Sequence, residues 1–185
     1  GHSLARQFGP EQWTLYKGRH LLSFLDNHDV DRIASKLTNP DHLRPAWAMA
    51  FGMPGVPAVY YGSEWGMKGA KGRGSDAELR PALERPEWND LTTWISKLAE
   101  AKKGSRALCY GAYRNVVLTN KQMIFERACD GERVLVAINA DSSPYTAHFD
   151  AGCGLAVDLI SGEKHDFGGG SELPPYSAFF WKCER

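Results

Sequence analysis

With 185 residues, 43% of them apolar and 11% aromatic, the chain has material for one domain or two small ones and reads as soluble and globular. Its 22 Lys and Arg balance its 22 Asp and Glu, and no basic block is interleaved with aromatics, so no nucleic-acid partner is expected. No apolar run approaches the roughly 20 residues that cross a bilayer, so no membrane partner is expected either.

The opening "GHSLARQFG" has neither the charged start nor the apolar middle of a signal peptide, and the natural start is expected to lie elsewhere. Next, "LLSFL" is an apolar run ending in the polar stretch "DNHDVDR", which suggests a strand buried on both faces, as in parallel sheets wrapped by helices. A helix is expected from Pro45 through "PAWAMAF" to Gly52, since proline suits a first helical position. "VPAVYYG" then reads as a second buried strand. Strand, helix, strand implies a parallel crossover, and in such folds ligand chemistry gathers at the carboxyl ends of strands. "DNHD" lies at one such end and "YYGSEWG" at the next.

A Gly-rich loop from Gly66 to Gly74 precedes the clearest helix, residues 88 to 103. Trp88, Leu91, Trp94, Ile95, Leu98 and Ala101 form its apolar stripe, Asn89 is a capping residue, Lys102 and Lys103 sit at the negative end, and Gly104 terminates it. The chain divides here, giving segments 1–104 and 105–185. In the second, Asp130-Gly131 is a favoured two-residue hairpin turn. Val134, Val136 and Ile138 share one face of the following strand and Leu135 and Ala137 the other, so that strand should be central and covered on both sides. "YTAHFD", "LAVDLI" and "SAFFWKC" complete the pattern of a small antiparallel sandwich. Phe179, Phe180 and Trp181 alternate faces and read as core. The four cysteines, Cys109, Cys129, Cys153 and Cys183, show no C-x-x-C spacing and read as buried free thiols in a reducing cytoplasm, an inter-strand disulfide remaining open.

Asp26, Asn27, His28, Asp29 and Asp31 could serve a metal, a sugar or simply a solvated turn. No second cluster at ligand spacing accompanies them, so no metal or other cofactor is expected. Sugar fits better: carboxylates accept paired hydroxyl hydrogen bonds, and an imidazole can donate to an oxygen bearing developing charge. Tyr60, Tyr61 and Trp65 offer flat rings for a pyranose face or for packing. Glu64 is open to two readings, touching substrate or orienting Arg32 or another buried cation.

"FLDNHD" with Arg32, followed by "PGVPAVYYGSEWGM", resembles the alpha-amylase family of glycoside hydrolases at its seventh and eighth barrel strands. "GSDAELRPAL" is similar to the next loop in the cyclomaltodextrinase and neopullulanase group. The resemblance implies the last strands and helices of a TIM-type (β/α)8 barrel over 1–104, followed by an all-β antiparallel sandwich over 105–185. It further implies that His28 binds substrate and steadies the transition state, and that Asp29 is the supporting family carboxylate. On the same basis Asn27, Arg32 and Tyr61 help bind substrate, with Glu64 behind them. The family's nucleophile pattern, G-F-R-x-D, and its acid glutamate are absent from these residues, so the reading is a C-terminal portion of a retaining enzyme that cleaves α-1,4-glucans. Alone it should be inactive, and it should self-associate or need the rest of the barrel. The alternatives are a glucan transglycosylase and a non-catalytic interaction domain.

Overall fold

The structure, a computed structural model, describes residues 2–9, 14–72 and 75–184. After α1 (His2–Phe8) comes β1 (Leu22–Phe24), then α2 (Ile33–Lys36), a 3-10 turn at Pro40–His42, α3 (Leu43–Gly52) and β2 (Val56–Ala58). β1 and β2 are parallel, with Leu22 opposite Val56 and Phe24 opposite Ala58. Gly55 makes this approach possible: its φ is +105°, and a Cβ there would lie 2.3 Å from the Leu21 carbonyl oxygen, which accepts the Val56 amide at 2.8 Å.

The expected burial of this strand pair on both faces is not found. Leu22 is 66% exposed, Phe24 47% and Val56 55%. Among the described residues the parallel sheet has two strands, and nothing flanks it in the way a full α/β sheet is flanked. α3 also starts earlier than Pro45, because Asn39 caps the preceding 3-10 turn and feeds the chain into Leu43. Pro45 then falls in the first turn, where no amide is required.

α4 (Asp90–Lys103) follows the local signals closely. Asn89 Oδ1 accepts the Leu91 and Thr92 amides, both at 3.0 Å, and Thr92 Oγ1 accepts the Asn89 amide at 3.3 Å, a reciprocal cap. Trp88 does not join the stripe; it precedes the helix, 73% exposed, and donates to Thr93 Oγ1. The Gly-rich loop's last residues, Arg73 and Gly74, lie outside the described residues.

After α5 (Arg106–Tyr110) come β3 (Ala112–Leu118), β4 (Gln122–Cys129), β5 (Glu132–Asn139), β6 (Tyr145–Ala147), β7 (Leu155–Asp158), β8 (Lys164–Asp166), β9 (Ser171–Leu173) and β10 (Ala178–Cys183). Six strands form one antiparallel sheet in the order β3-β4-β5-β10-β7-β8, and β6 pairs with β9 separately. Asp130 (φ 50°) and Gly131 (φ 77°) both take left-handed conformations, the signature of the expected hairpin turn between β4 and β5.

β5 is central and covered on both sides, as its alternation implies. Val134, Val136, Ile138 and Phe180 pack with Trp47, Phe51, Leu98 and Leu108 of the helices. Leu135, Ala137, Ile124 and Trp181 pack with Ala147 and Leu173 of the β6-β9 pair, with Phe179 at the margin. The large sheet therefore carries helices on one face and a two-stranded ribbon on the other, where a small antiparallel sandwich was expected. The apolar faces of α3 and α4 take the place of a second sheet.

At the C-terminus of α3, Lys102 Nζ donates to the carbonyls of Phe51, Met53 and Leu108 at 3.0, 3.0 and 3.1 Å. Arg127 Nη1 donates to Gly52 O at 2.8 Å. These two buried cations meet the negative end of the helix dipole. Desolvation, reinforced by the charge of Arg127, pushes Lys102 down to about 8.

Candidate functional site

At the carboxyl end of β1 the chain turns Asp26 inward, where it is 1% exposed. Asp26 Oδ2 accepts the Ile33 amide at 2.7 Å, fixing the start of α2, and Oδ1 accepts the Ser63 hydroxyl at 2.7 Å. Ser63 Oγ in turn accepts from Arg32 Nη1 at 3.1 Å. Arg32, fully buried, also donates to Tyr61 O at 2.7 Å and Leu79 O at 2.8 Å. Its guanidinium carbon sits 4.2 Å from the Tyr60 ring centroid, a cation over an aromatic face. A buried carboxylate and guanidinium, bridged by one hydroxyl, thus tie the end of β1 to the segment after β2 and to the loop at Leu79.

The residues between Asp26 and Arg32 are carried outward on this anchor. Asn27 Oδ1 accepts the Asp29 amide at 2.8 Å and shapes the turn. His28 Nε2 lies 3.2 Å from Asp29 Oδ2, with the two side chains 53% and 58% exposed. The His28 ring is 6.3 Å from that of Tyr60. Desolvation, and then the contact with Tyr61, holds the Tyr60 phenol above the usual tyrosine range.

The loop after β2 folds back over this turn. Arg80 Nη2 lies 3.4 Å from Asp29 Oδ1 and 3.2 Å from Asp76 Oδ2, while its Nε donates to His28 O at 3.3 Å. Lys71 donates through Nζ to Asp29 O at 3.2 Å and through its amide to Asp31 Oδ1 at 2.6 Å. An imidazole and a carboxylate therefore stand side by side, open to solvent, next to a tyrosine ring and a guanidinium. Such a group can accept paired hydroxyl hydrogen bonds and donate to an oxygen.

Two expected placements change. Glu64 does not orient Arg32; Ser63 does, because the 3-10 turn at Ser63–Trp65 points successive side chains in different directions. Glu64 Oε2 is buried with no hydrogen-bond partner among the described residues. Tyr61, 40% exposed, directs its hydroxyl to Pro81 O at 3.0 Å, so Tyr60 is the ring beside His28. Asp26, with both oxygens engaged and out of solvent, cannot form a working carboxylate pair with Asp29. Among the described residues no group of three or more His, Cys, Asp and Glu is placed to hold a metal.

Sequence reasoning missed Ser63, Arg80 and Lys71 as partners of the cluster. Arg80 lies within the recognised "GSDAELRPAL", but nothing in that stretch marks which of its charges turns back to Asp29.

The alpha-amylase catalytic-domain profile matches residues 7–124. A cyclomaltodextrin glucanotransferase of Bacillus sp. (strain 38-2) is 32% identical over 152 residues, covering 80% of this chain and 20% of its own length. An alpha-amylase of Niallia circulans is 33% identical over 152 residues, covering 82% of this chain and 27% of its own length. The chain thus spans about a fifth to a quarter of the length of these relatives. Among solved structures, the alpha-amylase of Geobacillus thermoleovorans complexed with acarbose superposes with a TM-score of 0.78 at 23% identity, covering 90% of this chain and 39% of that one. The gamma-CGTase of the alkalophilic Bacillus clarkii gives 0.71 at 24% identity, covering 89% and 26%. At such identities the structures speak for the fold alone.

Proposed function

Since the chain belongs to the alpha-amylase family, its parallel strand pair being a piece of that family's barrel beside an antiparallel sheet, we propose that it is the C-terminal portion of a retaining enzyme acting on α-1,4-glucans. On this reading residues 1–104 end the catalytic barrel and 105–185 form the terminal β-domain, with a hydrophobic core shared across the boundary. His28 and Asp29 bind hydroxyls of one glucose unit, and His28 steadies the oxygen that gains charge in the transition state. Tyr60 covers the sugar's C–H face, Asn27 and Arg32 hold the turn, Tyr61 braces Tyr60, and Glu64 stands behind them. The nucleophile and general acid of a retaining glycosidase lie about 5 to 5.5 Å apart; neither role is assigned to a residue of this chain.

The observation that carries this reading is the half-exposed His28–Asp29 pair, held at 3.2 Å on a buried Asp26–Ser63–Arg32 anchor. A solvated turn needs no such anchor. The glucanotransferase relatives favour transfer over hydrolysis as a second reading. Both outcomes share one glycosyl-enzyme intermediate and differ in whether a sugar hydroxyl or water attacks it.

The test uses maltotetraose and the 185-residue chain. Saturable NMR shifts at the His28 ring and Tyr60, abolished by Asp29→Asn, are expected, together with no turnover of maltooligosaccharides or cyclodextrins. Turnover that disappears with Asp29→Ala would overturn the fragment reading, and no saturable shift at His28 would overturn the sugar site.

A further inference from the structure

At the far end of β10, remote from the His28 turn in sequence and sheet position, two cysteines meet. Cys183 is the last residue of β10 and stands opposite Ala156 of β7, while Cys153 lies in the loop entering β7. Their sulfurs are 2.6 Å apart, closer than two unbonded sulfurs rest. The two side chains thus face each other beside the paired ends of β7 and β10. Arg133 pins the loop in place, donating to Ala151 O at 2.7 Å and Gly152 O at 3.3 Å while its Nε binds Glu126. Both cysteines line a solvent-open cavity of about 510 Å³ beside Arg133 and Leu155, which gives a small molecule access to them.

We propose that Cys153 and Cys183 are a redox-responsive pair that closes a disulfide on meeting a small-molecule disulfide such as oxidised glutathione. Burial, followed by the shared hydrogen with Cys153, pushes the Cys183 thiol up to about 12. A thiolate of the pair breaks the glutathione S–S bond and forms a mixed disulfide, releasing one glutathione thiolate that takes up a proton. The other cysteine then loses its proton and attacks the modified sulfur, releasing the second glutathione as a thiolate that takes up that proton. Two protein S–H bonds and one small disulfide become one protein S–S bond and two small thiols. The crosslink joins residues 30 apart and ties the β10 end to the loop before β7.

The 185-residue chain is incubated with oxidised or reduced glutathione, denatured without reductant, alkylated and mapped. After oxidation a Cys153–Cys183 peptide is expected, with Cys109 and Cys129 alkylated, and a melting temperature roughly 5 to 10 °C above the reduced form. Cys153→Ser and Cys183→Ser should each erase that shift and leave the remaining partner alkylatable. Full alkylation of both cysteines after oxidation, stable glutathione adducts on them, crosslinks to Cys109 or Cys129, or a shift that persists in either variant would overturn the pairing.

Discussion

Ser63 is a small residue on which the arrangement of the site turns. Its hydroxyl donates to Asp26 and accepts from Arg32, both buried, so it joins two charges that are each costly to leave unpaired. Ser63→Ala strands one oxygen of Asp26 and should reduce stability by about 1 to 3 kcal/mol in urea unfolding. Arg32→Met should do more, about 3 to 5 kcal/mol, because it removes three hydrogen bonds at once and leaves the Tyr61 and Leu79 carbonyls without their buried donor. Arg32→Lys is no rescue, since one ammonium cannot reproduce the forked reach to the Tyr61 and Leu79 carbonyls. If Ser63→Ala melts like the wild type and leaves the His28 and Tyr60 resonances in place, the anchor does not position the site. None of this is visible in "DNHDVDR" by itself. The motif marks His28 and Asp29 because their neighbours are local, whereas Ser63 reaches Asp26 across 37 residues and Arg80 reaches Asp29 across 51.

Among the elements, α4 was the most readable, because capping by Asn89 and Thr92 depends on residues three apart. The hairpin at Asp130-Gly131 was readable for the same reason. Lys102 was not: a lysine in a last helical turn is ordinarily solvated, and only the packing of α4 against the end of α3 buries it. That burial has a titratable consequence. Folding depresses the Lys102 pKa from 10.5 to about 8, so between those values the unfolded chain binds more protons than the folded one. Stability from this group is therefore fully present above 10.5, and is lost as pH falls toward and through about 8. Wild type should gain stability from about pH 8 upward relative to Lys102→Met, by an amount on the order of 3 kcal/mol across the full window. Comparing the two proteins cancels the opposing contribution of Tyr113, whose phenol is raised by burial in both. Equal pH slopes in paired urea titrations at pH 7.5 and 9.5 would remove Lys102 from the account.

For the whole molecule, the informative mismatch between sequence and structure is the strand pair itself. "LLSFL" and "VPAVYYG" have the composition of strands covered on both sides, and composition cannot say whether the covering elements are present. Here Leu21, Leu22, Phe24, Val56 and Val59 are between 37% and 66% exposed, while the six-stranded sheet fills both its faces from within the chain. The two halves of the molecule therefore differ in what they still require. The antiparallel sheet is satisfied, whereas among the described residues the parallel pair has open edges and an uncovered apolar surface, the conditions under which strands recruit other chains. In the complete enzyme proposed above, further barrel strands would cover it; alone, the chain should associate through it. Light scattering should give a mass above the monomer at concentrations of about 100 μM. Phe24→Lys and Leu22→Lys should return it to monomer with little change in melting temperature, because both side chains lie outside the two cores. Lysine in place of Phe180 or Trp181 on β10 would not do the same, since both are interior and their loss would unfold the sheet. A strictly monomeric wild type across that range would mean that the exposed strands are not adhesive, and the case for missing barrel neighbours would then rest on the motifs alone.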